Sequence, residues 1–297
     1  MTWFFLSLIA ILFWSGSDLF SKMGSKPDDK YSHWKMVIAV GLVMGAHAVF
    51  LILTGTPFRF ADIIIYLPAS FLYILSMILG YAGLRYIELS VSSPICNSSG
   101  AVAALLCFLI LHETMSGLQF FAVALVCAGV FALSVLEKRY GSAQRLQAEG
   151  DANRKYTRSF LAVLFPILYC IIDGLGTFAD ALLLDTVIAE EQANIAYELT
   201  FLFMAAVAFV YVVIIKRQTL HLPGEAPKLA AALCETAGQF AYVFAIGANA
   251  IVAAPMISSY CVMSLVWSRL FLKEKLSKAQ YAVIAMAAVG IVILGME

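Results

Sequence analysis

Charge is what this sequence has least of: only 13% of its 297 residues are Asp, Glu, Lys or Arg, and 19 basic residues cancel 19 acidic ones. With no net charge and no basic patch interleaved with aromatics, nothing marks a nucleic-acid surface. The six cysteines (Cys96, Cys107, Cys127, Cys170, Cys234 and Cys261) form no C-x-x-C or Cys/His spacing. They read as small buried hydrophobes, with no disulfide and no metal expected. There is no H-E-x-x-H, no G-x-S-x-G and no G-x-x-x-x-G-K-[ST], so the sequence carries no hydrolase signature, no P-loop and no cofactor fingerprint.

What is there instead is apolar length. Hydrophobic residues make up 62% of the chain and the mean hydropathy is +0.91, well above a soluble domain's share of about half. A bilayer-crossing helix needs roughly 20 mostly apolar residues, and ten such stretches are predicted, at 3–22, 34–54, 63–85, 91–111, 118–136, 160–184, 195–215, 229–246, 251–272 and 279–296. The first lacks a basic leader, and Asp18 falls where a signal-peptide cleavage site would stand, so it is read as a span. Of the 19 Lys and Arg, all except Arg59 lie in or beside the odd-numbered loops. Basic loops stay cytoplasmic, which predicts a plasma (inner) membrane protein with both termini outside.

The chain also repeats itself. Shifted by 161 residues, the stretch from Tyr81 onward lies without gaps on the stretch from Tyr242, pairing Pro94 with Pro255, Ser98 with Ser259, Glu113 with Glu274 and Gly129 with Gly290. A shift of 155 pairs Trp14 with Tyr169 and Asp18 with Asp173. Five spans per unit is an odd number, so the second unit must enter the membrane from the opposite face. The prediction is an all-α integral membrane protein of ten transmembrane helices in two inverted five-helix repeats, 1–136 and 159–297, joined by a charged linker at 137–158. Many secondary transporters bind substrate at the midplane between such halves.

These residues resemble a known group: the aromatic-Ser-Gly-Ser of the first span (Trp14 to Ser17), Pro94 and Pro255, the acids Glu113 and Glu274, and Gly129 and Gly290 are similar to the EamA-type repeats of the drug/metabolite transporter superfamily. His112 and Lys273 stand where that family usually has Gly, and the Lys/Arg distribution opposes its common cytoplasmic termini. The resemblance implies a secondary transporter of small organic solutes such as amino acids, metabolites or cationic drugs, with export the commoner direction, and a pathway between spans 1, 3, 4, 6, 8 and 9.

Ionisable groups inside a span cost about 2.5–3.5 kcal/mol at a helix centre and normally face a wet cavity or a partner. Glu235 and Gln239, four residues apart on one face, lie roughly 10 and 16 Å into their span. With Asp18 and Asp173 they form the candidate substrate or proton site, joined by Asn97, Tyr260, Trp14 and Tyr169 as cavity lining. Structural readings stand beside these: Asp18 could pair with Lys22, the aromatics could be core, and Asn97 could pack a kink at Pro94, whose counterpart is Pro255. His47 and Glu198 are secondary candidates, His47 as a hydrogen-bonded packing residue in the first instance, and Asp180 reads as solvated rim. Proton coupling and uncoupled exchange are both compatible with these acids. The competing functions are a lipid-modifying membrane enzyme, which lacks its nucleophile or metal cluster here, and a receptor or subunit that transports nothing.

Overall fold

The computed structural model describes residues 2–25, 29–84, 89–112, 114–147, 160–220, 222–271, 277–294 and 296, and among them there is no strand. Glu113, Lys273, Glu274 and the second part of the charged linker lie outside the described residues. The helices are α1 (Thr2–Gly24), α2 (Ser32–Leu53), α3 (Phe60–Gly83), α4 (Leu89–Cys96), α5 (Ser99–Leu106), α6 (Gly117–Gln147), α7 (Phe160–Thr186), α8 (Glu190–Phe209), α9 (Ala226–Ser258), α10 (Tyr260–Phe271) and α11 (Lys278–Leu294). Wider π turns extend α5 over Cys107–Leu111 and α8 over Val210–Ile215. Helix α6 runs on past 136, so the first part of the predicted linker continues a membrane helix.

Six helical segments among the described residues are long and apolar enough to cross a bilayer, and Ser99–Leu111, Gly117–Val130 and Lys278–Leu294 are shorter apolar helices. The longest of the six, Ala226–Phe271, holds two predicted spans, separated at Asn249, whose backbone (φ −167°, ψ 82°) is extended rather than helical. Polarity is distributed inside out. Phe5, Leu53, Phe60, Ile64 and Phe203 are exposed on the outside, whereas Asp62, Asp180, Glu198 and Lys228 are buried. That exterior suits hydrocarbon, not water.

The helices pair antiparallel across the two halves of the chain. On α1 and α9, Trp14 meets Gly238 and Gly24 meets Lys228. On α3 and α7, Gly83 meets Phe165 and Gly176 meets Tyr73. In α2 and α8, a Cβ added to Gly41 would fall 2.5 Å from both the Phe201 carbonyl oxygen and the Ala205 Cβ, so only glycine permits that approach. In α6 and α11, Gly290 packs on Val126 and Gly129 on Ala287. The repeat-matched glycines therefore meet at one interface.

The spans that bear Pro94 and Pro255 are interrupted. Their regular turns break at Ser98 and at Ser259, the matched serines four residues beyond Pro94 and Pro255. His112, in the place where glycine is usual, adopts the left-handed conformation at φ 55°. Histidine tolerates that region better than most residues, though glycine fits it without strain.

At the basic end of the bundle, Lys35 reaches Asp29 at 2.8 Å and Glu225 at 3.7 Å, and Glu225 also pairs with Lys228. Partial burial pulls the Asp29 carboxyl upward, but the hydrogen bonds from Lys35 and from the Tyr31 backbone N–H outweigh it and hold the group below its usual range.

Candidate functional site: a central polar cavity

A cavity lies between α1, α3, α4, α5, α7, α9 and α10. Its three acids come from three helices: Asp18 from α1, Asp173 from α7 and Glu235 from α9. Trp14, Tyr169, Gln239, Asn97 and Tyr260 line the same space. All eight first-rank candidates are thus brought together. Tyr197 of α8 also reaches it, from outside the six spans that the resemblance implied.

Each acid is dressed by serine hydroxyls. Ser93 and Ser264 donate to Asp18 Oδ2 at 2.5 and 2.9 Å, Ser76 and Ser99 donate to Asp173 at 3.1 and 2.8 Å, and Ser17 donates to Glu235 Oε2 at 2.6 Å. Serine suits this task because one short hydroxyl satisfies a carboxylate without adding charge. The Lys22 ammonium points to the Leu84 carbonyl oxygen at 3.3 Å, at the cavity's edge. Asn97 donates to the Ser93 carbonyl at 2.8 Å and to the Ser93 hydroxyl at 3.1 Å, which fixes the hydroxyl that serves Asp18.

Aromatic rings form the walls. Trp14 stacks on Tyr242 with centroids 4.8 Å apart and meets Tyr260 edge-on at 5.8 Å. A Cβ at Gly238 would stand 2.3 Å from the Trp14 ring, so the glycine is what lets the indole lie flat on α9.

The cavity is asymmetric along the helix axes. Ser21, Leu84 and Leu89 line it where α1 and α3 end and α4 begins, so it reaches that end of the bundle. Toward the opposite end it stops at Tyr73, Thr177 and Tyr242. Behind them, Tyr66 donates to Asp180 at 2.5 Å, Tyr73 donates to Asp180 at 3.3 Å and bonds Tyr242 at 2.5 Å, and Tyr242 donates to Thr177 at 3.1 Å. Asp180, expected at a solvated rim, is instead fully buried, because α3 folds two tyrosines over it. The seven-residue spacing from Asp173 put both acids on one face correctly, but no sequence signal placed Tyr66 opposite Asp180. Tyr81, which also lines the cavity, was detectable as the repeat mate of Tyr242.

His47 and Glu198 are not in the cavity lining. They bond each other at 2.7 Å across α2 and α8, with Glu198 buried and His47 half-buried against Phe240. The bond joins α2 to α8.

Residues 1–135 match the EamA-like transporter family. No curated protein matches the chain. Among solved structures 28 chains match; one, titled only as the crystal structure of a protein, has a TM-score of 0.69 at 13% identity, covering 99% of this chain and 96% of that one. At that identity the likeness speaks for the fold alone. The chain is a multi-pass integral membrane protein, and its first 135 residues are similar to a transporter family.

Proposed function

We propose that the protein is a secondary transporter that moves small organic solutes through the central cavity by alternating access between two inverted five-helix halves. The observation that carries this is the placing of three acids, from α1, α7 and α9, around one space that reaches one end of the bundle and stops at packed tyrosines toward the other. A site poised between two ends of a membrane-spanning bundle is what alternating access requires.

Ten spans follow when the Ala226–Phe271 segment is divided at Asn249 and the three shorter apolar helices are counted with the other five. Inversion is supported by orientation: α2 and α8 are repeat mates, as are α6 and α11, and each pair runs antiparallel. The Lys/Arg distribution favours outside termini and a cytoplasmic location for the end that Ser21, Leu84 and Leu89 line. This conformation is then inward-facing, with the Tyr66–Asp180 and Tyr73–Tyr242 contacts as the closed outer side.

The acids give a route to proton coupling. A cation entering beside Asp173 or Glu235 and a proton on the same carboxyl exclude each other, and that competition is sufficient for exchange. The test is transport by the purified chain in liposomes, screened against amino acids and cationic drugs with and without a pH gradient. Solute movement accelerated by an imposed gradient and lost in Glu235→Gln is expected. Sealed, protein-bearing vesicles that move none of these solutes in either direction would overturn the reading.

A further inference from the structure

The cavity's polar groups divide into two kinds. The carboxyls accept from serine hydroxyls, whereas three buried donors, Trp14 Nε1, Gln239 Nε2 and the Tyr81 hydroxyl, have no hydrogen-bond partner among the described residues. Gln239 and Tyr81 are only 4% and 6% exposed. All three line the cavity. A buried donor left unpaired costs about 1–3 kcal/mol, so these atoms are arranged for an acceptor that arrives with the ligand.

Charge sets a second condition. Three carboxyls line the space, and among the described lining residues there is no Lys, Arg or His. A positive group on the ligand is therefore matched by the wall. A carboxylate on the ligand is not: it would be desolvated among like charges with no cation among the described lining residues, the Lys22 ammonium at the cavity's edge being directed to the Leu84 carbonyl.

Resting on the transporter reading of this same cavity, we infer that the substrate class is a flat-bodied organic amine, singly positive, carrying a neutral acceptor such as an amide, ester or ring nitrogen, in preference to a free amino acid. The ammonium lies toward Asp18, Asp173 and Glu235. The neutral acceptor takes the hydrogens of Trp14 and Gln239, which adjoin across the α1–α9 contact, since the indole rests on Gly238. The aromatic body lies among Trp14, Tyr242 and Tyr260.

Four indole probes test it, because they share a ring and differ only in the groups at issue: tryptophanamide (amine and neutral acceptor), tryptamine (amine alone), tryptophan (amine and carboxylate) and indole-3-propionate (carboxylate alone). Affinities are measured by calorimetry on the purified full chain at pH 7. Tryptophanamide should bind about 3- to 10-fold more tightly than tryptamine, the worth of one or two hydrogen bonds. Tryptophan should bind at least about 100-fold more weakly than tryptophanamide, and indole-3-propionate more weakly still. Trp14→Phe keeps a ring on Tyr242 but removes the N–H, and should bring the tryptophanamide-to-tryptamine ratio toward one. Gln239→Met does the same without touching the aromatic stack, and serves if the first variant does not fold. Tryptophan binding as well as tryptophanamide, no binding of either amine, or an unchanged ratio in a folded Gln239→Met variant would each overturn the inference. Vesicles that carry tryptophan in preference to tryptophanamide would sink it while sparing the transporter reading; protein that binds tryptophanamide but moves nothing would do the reverse.

Discussion

Tyr66 donates a hydrogen bond to Asp180 across 2.5 Å, and both residues are completely buried. The pair ties α3 to α7, and Tyr73 continues the tie to Tyr242 on α9. Two tyrosine hydroxyls therefore meet at one carboxyl. Asp180→Leu strands the Tyr66 hydroxyl, at about 1–3 kcal/mol, and leaves Tyr73 its bond to Tyr242, whereas Asp180→Asn keeps an acceptor oxygen. Thermal unfolding in detergent should fall markedly in the leucine variant and far less in the asparagine one. Equal stability of Asp180→Leu and the unaltered protein would refute this role for the carboxyl.

The three cavity acids should not respond alike to removal of their titration. Glu235→Gln preserves an acceptor oxygen for Ser17, and Asp173→Asn keeps one for Ser99 while its NH2 can donate to the Ser76 hydroxyl oxygen, but neither amide can exchange a proton. Gradient-driven transport is expected to disappear in both, with folding intact by size-exclusion profile. Asp18→Asn is expected to lose only part of it, because Asp18 sits one turn from Lys22 near the cavity's edge. Normal gradient-driven transport by all three amide variants would reduce the acids to structural groups.

Orientation can be settled with two exposed positions on opposite ends of the bundle. Thr54 follows α2 and Gln218 follows the π turn after α8, and both are exposed. The Lys/Arg asymmetry predicts that an impermeant maleimide labels Thr54→Cys in intact cells and labels Gln218→Cys only after the cells are opened. The reverse pattern would invert the proposed topology.

The contact between α6 and α11 should be sensitive at Gly290 and tolerant at Gly129. A Cβ at Gly290 would stand 2.7 Å from Val126 and 3.1 Å from the Ala122 carbonyl oxygen, while one at Gly129 meets its nearest neighbours at an ordinary 3.5 Å. Gly290→Leu should destabilise by about 1–3 kcal/mol, and Gly129→Ala should be close to neutral, both read from unfolding midpoints. Similar losses at the two sites would mean that this interface is looser than the distances imply.

Much of the architecture was legible because lipid imposes a coarse rule. A span must be long, apolar and helical, and length and hydropathy can be counted along the chain. Asp18, Asp173 and Glu235 stood out for the same reason, since each interrupts an apolar run at a cost that demands an explanation. Less legible were features set by partners distant in the chain. The Glu198 and His47 pair bridges 151 residues, and the Tyr66 to Asp180 bond bridges 114. Asp180 was misjudged because nearness to a span's end suggests solvent, whereas α3 covers it.

By itself the sequence determined what must be buried and what must face lipid, because hydrophobicity and the cost of a charge in hydrocarbon are local properties of each residue. It also determined the internal repeat, which is a property of order along the chain. Only the tertiary structure decided which of the serines would serve the three acids, that Trp14 would lie on Gly238, and that Trp14, Gln239 and Tyr81 would be left with hydrogens to donate. Those outcomes depend on antiparallel helices crossing at one register, where a few ångströms separate a satisfied hydroxyl from an orphan.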